Sequence, residues 1–119
     1  MNNFLNNLFS LKEKVAVVIG GGGHLCSEMS KGLAFSGADL IVIDLRIEKA
    51  KKTIEMIQKN NTGRHLAIAI DATKKEDHVM ALEKIINKYG KIDILVNGAG
   101  INSPTPYLDI NLEDWNKVI

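Results

Sequence analysis

The sequence predicts one α/β domain, a doubly wound parallel sheet with helices on both faces, and three observations indicate it. Short β-branched segments at residues 15–19, 40–43, 66–70 and 92–96 are almost continuously apolar, as strands buried on both faces are. Longer segments with helical spacing separate them. Gly37, Gly63 and Gly90 each precede a strand, where a helix C-terminal glycine belongs. The β-α-β-α-β-α-β order predicts right-handed crossovers between parallel strands.

Each predicted helix has one apolar face, and these faces should cover the sheet. The residues that define them are Leu25, Met29 and Leu33; then Ile47, Ala50, Ile54 and Ile57; then Val79, Leu82, Ile86 and Tyr89. The start of the chain is rich in asparagine around a few apolar residues. We expect it to form a short surface segment, packed on the sheet edge at most.

Composition excludes several classes of function. With 119 residues, 45% apolar and 24% charged, the chain predicts one globular unit. A net charge of +1, with both signs interleaved, provides no basic face for nucleic acid. The sequence has no apolar stretch of membrane-spanning length and no recognisable leader. The single Cys26 cannot form an intrachain disulfide, and it favours a cytoplasmic location.

A run of four consecutive glycines, residues 20–23, lies between the first predicted strand and the first helix. Glycine loses more backbone entropy on folding than other residues, so such a run indicates unusual backbone angles or a close approach to a ligand. Backbone N–H groups and the positive end of the helix dipole converge at this kind of turn. The run is therefore a candidate phosphate-binding loop, with a plain flexible turn as the alternative.

The ends of the other strands carry polar or glycine-rich residues at the same predicted edge. Asp44 ends the second strand, where an acidic residue binds the ribose hydroxyls of a dinucleotide and repels a 2′-phosphate, which favours NAD over NADP. Arg46 could accept a 2′-phosphate or be a solvated charge. Two further stretches, which could instead be a helix cap and a tight turn, are Asp71-Ala72-Thr73 and Asn97-Gly98-Ala99-Gly100.

These motifs, in this order and followed by Glu113-Asp114-Trp115, resemble the N-terminal half of the short-chain dehydrogenase/reductase family from about residue 9 to residue 119. The resemblance implies a Rossmann-like sheet, incomplete here, with four strands in the order 3-2-1-4. Residues 1–119 would be the N-terminal part of a single NAD(P)-binding domain, truncated before the catalytic half. FSLKEKVAVVIGGGG with NGAGINSP is most similar to sugar-acid enzymes of the fructuronate-reductase and gluconate-dehydrogenase type.

The family's cofactor loop is TGxxxGxG, and its fourth strand ends in NNAG. By the resemblance Gly20 is the first motif glycine, while His24 and Cys26 stand where the second and third glycines are usual. Gly23 can take over from His24, and a small Cys can still let the helix pack on the strand. Gly98 replaces the second asparagine of NNAG. We expect His24 to be a loop residue rather than a metal ligand.

The resemblance also assigns the remaining cofactor contacts. Asp71 and Ala72 would flank the adenine ring, and the fourth-strand motif would form the floor under the ribose and nicotinamide. The predicted cofactor-binding residues are Gly20, Gly22, Gly23, His24, Leu25, Asp44, Leu45, Asp71, Ala72, Asn97, Gly98, Ala99 and Gly100. The predicted cofactor is NAD, with NADP as the alternative.

The family's catalytic Tyr-x-x-x-Lys pair is not found in this sequence. Tyr89 is followed at that spacing by Asp93, and Tyr107 by Asn111. Without the proton-transfer group, about 10²–10⁴ in rate is lost. We therefore predict no catalytic and no metal residue here, and a chain that alone is inactive in hydride transfer. Trp115 is expected to be a packing aromatic.

Three functions stay open at this point. The chain can be the cofactor-binding half of an NAD(P)(H)-dependent oxidoreductase acting on a small carbonyl or alcohol substrate, a non-catalytic nucleotide-binding or regulatory module, or an α/β module that binds no nucleotide. A fourth strand left as an apolar edge predicts marginal stability or self-association. Full-length family members are commonly dimers or tetramers, so we expect a homo-oligomer for a full-length protein.

Overall fold

A computed structural model describes residues 2–101 and 104–119, so Met1 and the Asn102-Ser103 pair of the NGAGINSP stretch lie outside the described residues. Four parallel strands form one sheet in the order β3-β2-β1-β4, which confirms the predicted topology. The strands are β1 (Val15–Ile19), β2 (Asp39–Asp44), β3 (Leu66–Ala69) and β4 (Ile94–Asn97). The helices are α1 (Asn2–Phe9), α2 (His24–Phe35), α3 (Ile47–Gln58), α4 (Lys75–Tyr89) and α5 (Leu112–Val118), with a 3₁₀ turn at Tyr107–Asp109.

The last strand begins two residues later than the sequence predicts. Its ladder with β1 starts at the Ala16 and Ile94 pair. Before that point Asp93 forms the link instead: its N–H donates to the Val15 oxygen at 2.9 Å, and its Oδ2 accepts from the Val15 N–H at 2.8 Å. The backbone N–H of Val15 and the neighbouring Lys91 ammonium lower the pKa of Asp93. A side chain thus extends the β1–β4 pairing beyond the ladder.

The sheet has a separate apolar core on each face, because successive strand residues point to opposite sides. One core joins β1 and β2 to α2 and α3 and includes Val18, Leu40 and Ile57. The other joins the sheet to α4 and includes Val17, Ile41 and Ile85. Burying a side chain of this size contributes roughly 1.5–3 kcal/mol. The two cores hold the carboxyl ends of the strands at one common edge.

The sequence gives the wrong buried face for two of the helices. In α2 the buried side chains are Cys26, Ser30 and Ala34, whereas Leu25 is 66% exposed. Small residues let this helix approach the strands closely, so Leu25 and Met29 lie outside the contact, while Leu33 packs against the core as a partly buried residue. In α4 the buried residues are Ala81, Ile85 and Tyr89, while the other predicted positions Val79, Leu82 and Ile86 are exposed. The α3 prediction is confirmed at Ala50, Ile54 and Ile57.

The chain ends differ from their predictions as well. The N-terminal segment lies on the surface as expected, but it is a helix, and its apolar side chains Phe4, Leu5, Leu8 and Phe9 are exposed. In α5, all of whose residues are described, no side chain is buried. Trp115, predicted to pack, is 54% exposed, because in the described chain α5 does not dock onto the cores.

The glycines predicted at helix ends separate into two cases. Gly90 is the C-cap of α4 and takes the left-handed conformation, with φ at 79°, while its N–H donates to the Ile86 oxygen. Gly63 does not cap a helix, because it lies in the turn before β3, where its N–H donates to Asn61 Oδ1 at 2.7 Å.

Candidate functional site

The glycine run passes over the carboxyl end of β1 in close contact with three other elements. Gly20 has φ at 77°, and a Cβ built on it would lie 2.8 Å from the Gly98 oxygen. A Cβ on Gly21 would lie 2.7 Å from Val42 Cγ1, and one on Gly22 would lie 2.6 Å from Lys49 Cβ. Close packing therefore leaves no room for a side chain at the first three glycines of the run.

The fourth glycine has a different environment. Gly23 is the N-cap of α2 with φ at −74°, and a Cβ on it would meet only the Gly20 oxygen, at 3.2 Å. Glycine has no side chain that could cap the helix, and the Gly23 N–H itself donates to the Gly20 oxygen at 3.0 Å. The N–H groups at a helix start need partners from outside the helix. Gly23 thus leaves space at the end of the loop, beside the N–H groups of the first turn of α2.

Asp44 lies at the end of β2 and is bonded directly to the glycine loop. Its Oδ2 accepts from the Gly22 N–H at 3.0 Å, and its Oδ1 accepts from the Arg46 N–H at 3.1 Å. These two bonds fix the orientation of the carboxylate beside the loop. The neighbouring Leu45 is 69% exposed. The structure thus brings together the loop and the acidic residue that the sequence predicted for the ribose.

The Asp71 carboxylate at the end of β3 turns back onto its own loop. Its Oδ1 accepts from the Thr73 hydroxyl at 2.6 Å and from the Thr73 N–H at 3.0 Å. These bonds to Thr73 lower the pKa of Asp71, because they stabilise the charged form. The N-cap of α4 is Lys74, so neither Asp71 nor Thr73 occupies the cap position. The next residue, Ala72, is exposed, and its oxygen is bonded to the His78 ring at 2.9 Å.

The fourth predicted stretch follows β4 at the same edge of the sheet. Asn97 ends the strand, and the Gly98 N–H donates to the Ile19 oxygen at 2.9 Å. Ala99 and Gly100 are exposed, and a Cβ on Gly100 would have nothing within 4 Å. The β4 loop therefore lies against the β1 loop, with an open surface beyond it.

His24, predicted to be a loop residue, is instead the first residue of α2, and it is exposed beside a groove of about 360 Å³ between α2 and α3. The groove carries several cationic side chains and continues from the glycine loop; its lining includes Gly22, Gly23, His24, Ser27, Lys31, Lys49 and Lys52. Within residues 2–101 and 104–119, no three His, Cys, Asp or Glu side chains could together hold a metal ion.

The two tyrosines are not placed for acid/base chemistry at this edge. Tyr89 ends α4 and is 9% exposed, and its hydroxyl donates to the Arg64 oxygen at 3.1 Å. Burial raises the pKa of Tyr89, with the charge of Asp39 acting in the same direction. A catalytic tyrosine needs the opposite shift. Tyr107 is 83% exposed and followed by no lysine at the required spacing.

Comparison with known proteins gives the family. The short chain dehydrogenase family model matches residues 14–119, and the chain belongs to this family. It is 39% identical over 104 residues to an uncharacterized oxidoreductase, YuxG, of Bacillus subtilis, covering 87% of this chain and 15% of the relative. It is 31% identical over 115 residues to 5-keto-D-gluconate 5-reductase of Escherichia coli, covering 97% of this chain and 45% of that relative.

A solved structure of NAD⁺-bound xylitol dehydrogenase has a TM-score of 0.83 and 25% identity, with 90% of this chain and 41% of that chain covered. The chain spans less than half the length of these proteins. The fold and the family predicted from the motifs are therefore confirmed. No helix among the described residues is long and apolar enough to cross a bilayer.

Proposed function

We propose that this chain is the cofactor-binding half of an oxidoreductase that transfers hydride between NAD and the carbonyl or hydroxyl carbon of a small substrate. The observation that carries the proposal is the pair of bonds that fixes Asp44 beside the glycine loop, 3.0 Å from the Gly22 nitrogen. In dinucleotide-binding sheets an acidic residue at this position accepts from the ribose hydroxyls. The bound nicotinamide would supply the hydride chemistry.

The residues at this edge fit a dinucleotide. The N–H groups of the first turn of α2 have no partner within the helix, and Gly23 leaves space above them, as a pyrophosphate needs. Gly100 leaves open surface beyond β4, where the nicotinamide end would lie. His24 and Leu25 would line the cofactor along the first turn of α2. Ligands of open α/β sheets bind at this carboxyl edge.

The preference for NAD over NADP follows from charge. A 2′-phosphate on the ribose would be placed near the Asp44 carboxylate, and like charges at this distance repel. Lys49 and Lys52 act in the opposite direction, because they line the groove that continues from the loop, and so does the charge of Arg46, two residues after Asp44. The Asp44 carboxylate is hydrogen-bonded directly to the loop, so we propose NAD as the preferred cofactor and NADP as the second candidate.

A sugar acid is the proposed substrate class, since the Escherichia coli relative is a 5-keto-D-gluconate reductase. The second candidate function is a non-catalytic nucleotide-binding module, which His24 and Cys26 at the usual glycine positions and the lack of a Tyr-x-x-x-Lys pair in this chain favour. The single free Cys26 supports a cytoplasmic location. For the full-length protein we propose a homo-oligomer.

Fluorescence titration with NADH and NADPH tests the proposal. We expect saturable binding, tighter for NADH. In Asp44→Asn the NADPH dissociation constant divided by the NADH dissociation constant should fall by about tenfold or more, because the repulsion of the 2′-phosphate is removed. Glu48→Gln is the matched control: it removes an exposed carboxylate from the first turn of α3 and should leave the ratio unchanged.

Two outcomes would count against parts of this proposal. Absence of saturable binding of either nucleotide would refute it and favour the module that binds no nucleotide. Tight binding by the full-length protein, without oxidation of NADH in the presence of keto sugar acids, would favour the non-catalytic module.

A further inference from the structure

Cys26 and Gly98 contact each other across the base of the candidate site. Cys26 lies in the first turn of α2 and is 8% exposed. Gly98 directly follows β4. A Cβ built on Gly98 would collide with Cys26 Sγ, and it would also lie 3.1 Å from the Ile19 oxygen. The thiol therefore occupies the space that a side chain at residue 98 would need.

We infer that Cys26 and Gly98 form a complementary pair that positions the β4 loop beneath the cofactor. This chain departs from the family pattern at both positions, as it also does at His24: the pattern has a glycine in place of Cys26 and an asparagine in place of Gly98. The contact explains both departures together, because the volume added at residue 26 is removed at residue 98. Its effect on the cofactor rests on the proposed function.

The contact extends to the phosphate-binding loop. The Gly98 oxygen would lie 2.8 Å from a Cβ on Gly20, and the Gly98 N–H donates to the Ile19 oxygen at 2.9 Å. A shift of residue 98 would therefore move the ends of β1 and β4 relative to each other. Closely packed interiors transmit such shifts, because they hold few voids that could absorb them.

Cys26 acts in this scheme as a positioning residue. It does not need to touch the nucleotide, since its sulfur supports the backbone of Gly98 and Gly98 in turn supports the predicted floor of the site. The φ of Gly98 lies outside the left-handed region. A side chain there is opposed by the thiol and by the tight approach to Ile19, and not by the backbone conformation.

A double-mutant cycle in the full chain tests the pair, with NADH affinity and the urea midpoint measured for each variant. Gly98→Ala should weaken NADH binding by about tenfold, because its methyl group meets the sulfur. Cys26→Ala should rescue it: in the double variant the two Cβ atoms would lie 3.7 Å apart, an ordinary contact. The double variant should then bind NADH within about threefold of Cys26→Ala alone, because only the 3.1 Å approach to the Ile19 oxygen remains.

Two controls separate positioning from stability. Cys26→Ser keeps an atom at the γ position. The double variant Cys26→Ser/Gly98→Ala should therefore bind NADH as weakly as Gly98→Ala does. Ile85→Val loses packing on the opposite face of the sheet and should lower the urea midpoint without changing the NADH dissociation constant. An equal loss of NADH affinity in Ile85→Val would overturn the positioning role.

The cycle also distinguishes this inference from the proposed function. Additive effects of Gly98→Ala and Cys26→Ala on NADH binding would overturn the pair while leaving cofactor binding intact. If the wild-type chain shows no saturable NADH binding, the proposed function fails. The urea midpoints then test only the packing of Cys26 against Gly98. Recovery of the Gly98→Ala midpoint in the double variant supports this packing, and additive changes in the midpoint overturn it.

Discussion

Replacing Gly22 or Gly23 with alanine should separate the two requirements that the glycine run meets. Both changes add one methyl group to adjacent residues of the same loop. At Gly22 the new Cβ would lie 2.6 Å from Lys49 Cβ, 2.8 Å from Asp44 Oδ2 and 3.0 Å from the Lys49 carbonyl carbon. At Gly23 it would meet only the Gly20 oxygen, at 3.2 Å.

The expected magnitudes follow from these distances. Overpacking of a well-packed contact costs typically 1–3 kcal/mol, and the backbone atom of Lys49 cannot rotate away, so we expect Gly22→Ala to lose about 2 kcal/mol. At about 4 °C per kcal/mol for a chain of this size, the Tm should fall by roughly 8 °C. Gly23→Ala has a compatible φ and should lose less than about 1 kcal/mol.

Urea unfolding followed by circular dichroism measures the stability difference, and NADH fluorescence measures binding. Gly23→Ala should be nearly as stable as the wild-type chain but bind NADH more weakly, because its methyl group enters the space above the start of α2. Gly22→Ala should lose both stability and affinity. Equal stability of the two variants would refute the assignment of Gly22 to packing.

Two further predictions concern the rest of the sheet. Burial lowers the pKa of His65, against the opposing charge of Asp39, and its Nδ1 accepts from the Leu40 N–H at 3.1 Å. The stability that His65 contributes should therefore be complete above the ordinary pKa of 6.5 and lost as the pH falls through the lower folded-state pKa, and His65→Gln should flatten this slope in urea titrations. Leu95 is 61% exposed on the edge strand β4, so sedimentation velocity should show self-association of the chain. Leu95→Lys should reduce this self-association. A monodisperse wild-type monomer with a cooperative melt would contradict the prediction.

The strands were predictable because burial on both faces imposes a local pattern. Residues 15–19 are apolar throughout and β-branched at all positions except Ala16, and the structure places β1 at Val15–Ile19. The start of β4 was not predictable, because it depends on the bonds between Asp93 and Val15, which are 78 residues apart in sequence. Local spacing carries no information about such a partner.

The helix faces show a second limit. Apolar spacing identified α2 and α4 as helices but selected their larger residues as the buried ones. The tertiary structure buries Cys26 and Ala81, because close packing on a sheet favours small side chains at the nearest positions.

The sequence by itself determined the α/β class, the strand order implied by the family motifs, and the loops that form the candidate site. Those features depend on local patterns of apolar, glycine and acidic residues, which one chain displays directly. Only the tertiary structure decided which glycines are needed for packing, how Asp44 is held, and that Cys26 fills the space beside Gly98. Each of these depends on atoms from distant parts of the chain meeting at a fixed distance, and only the folded structure sets that distance.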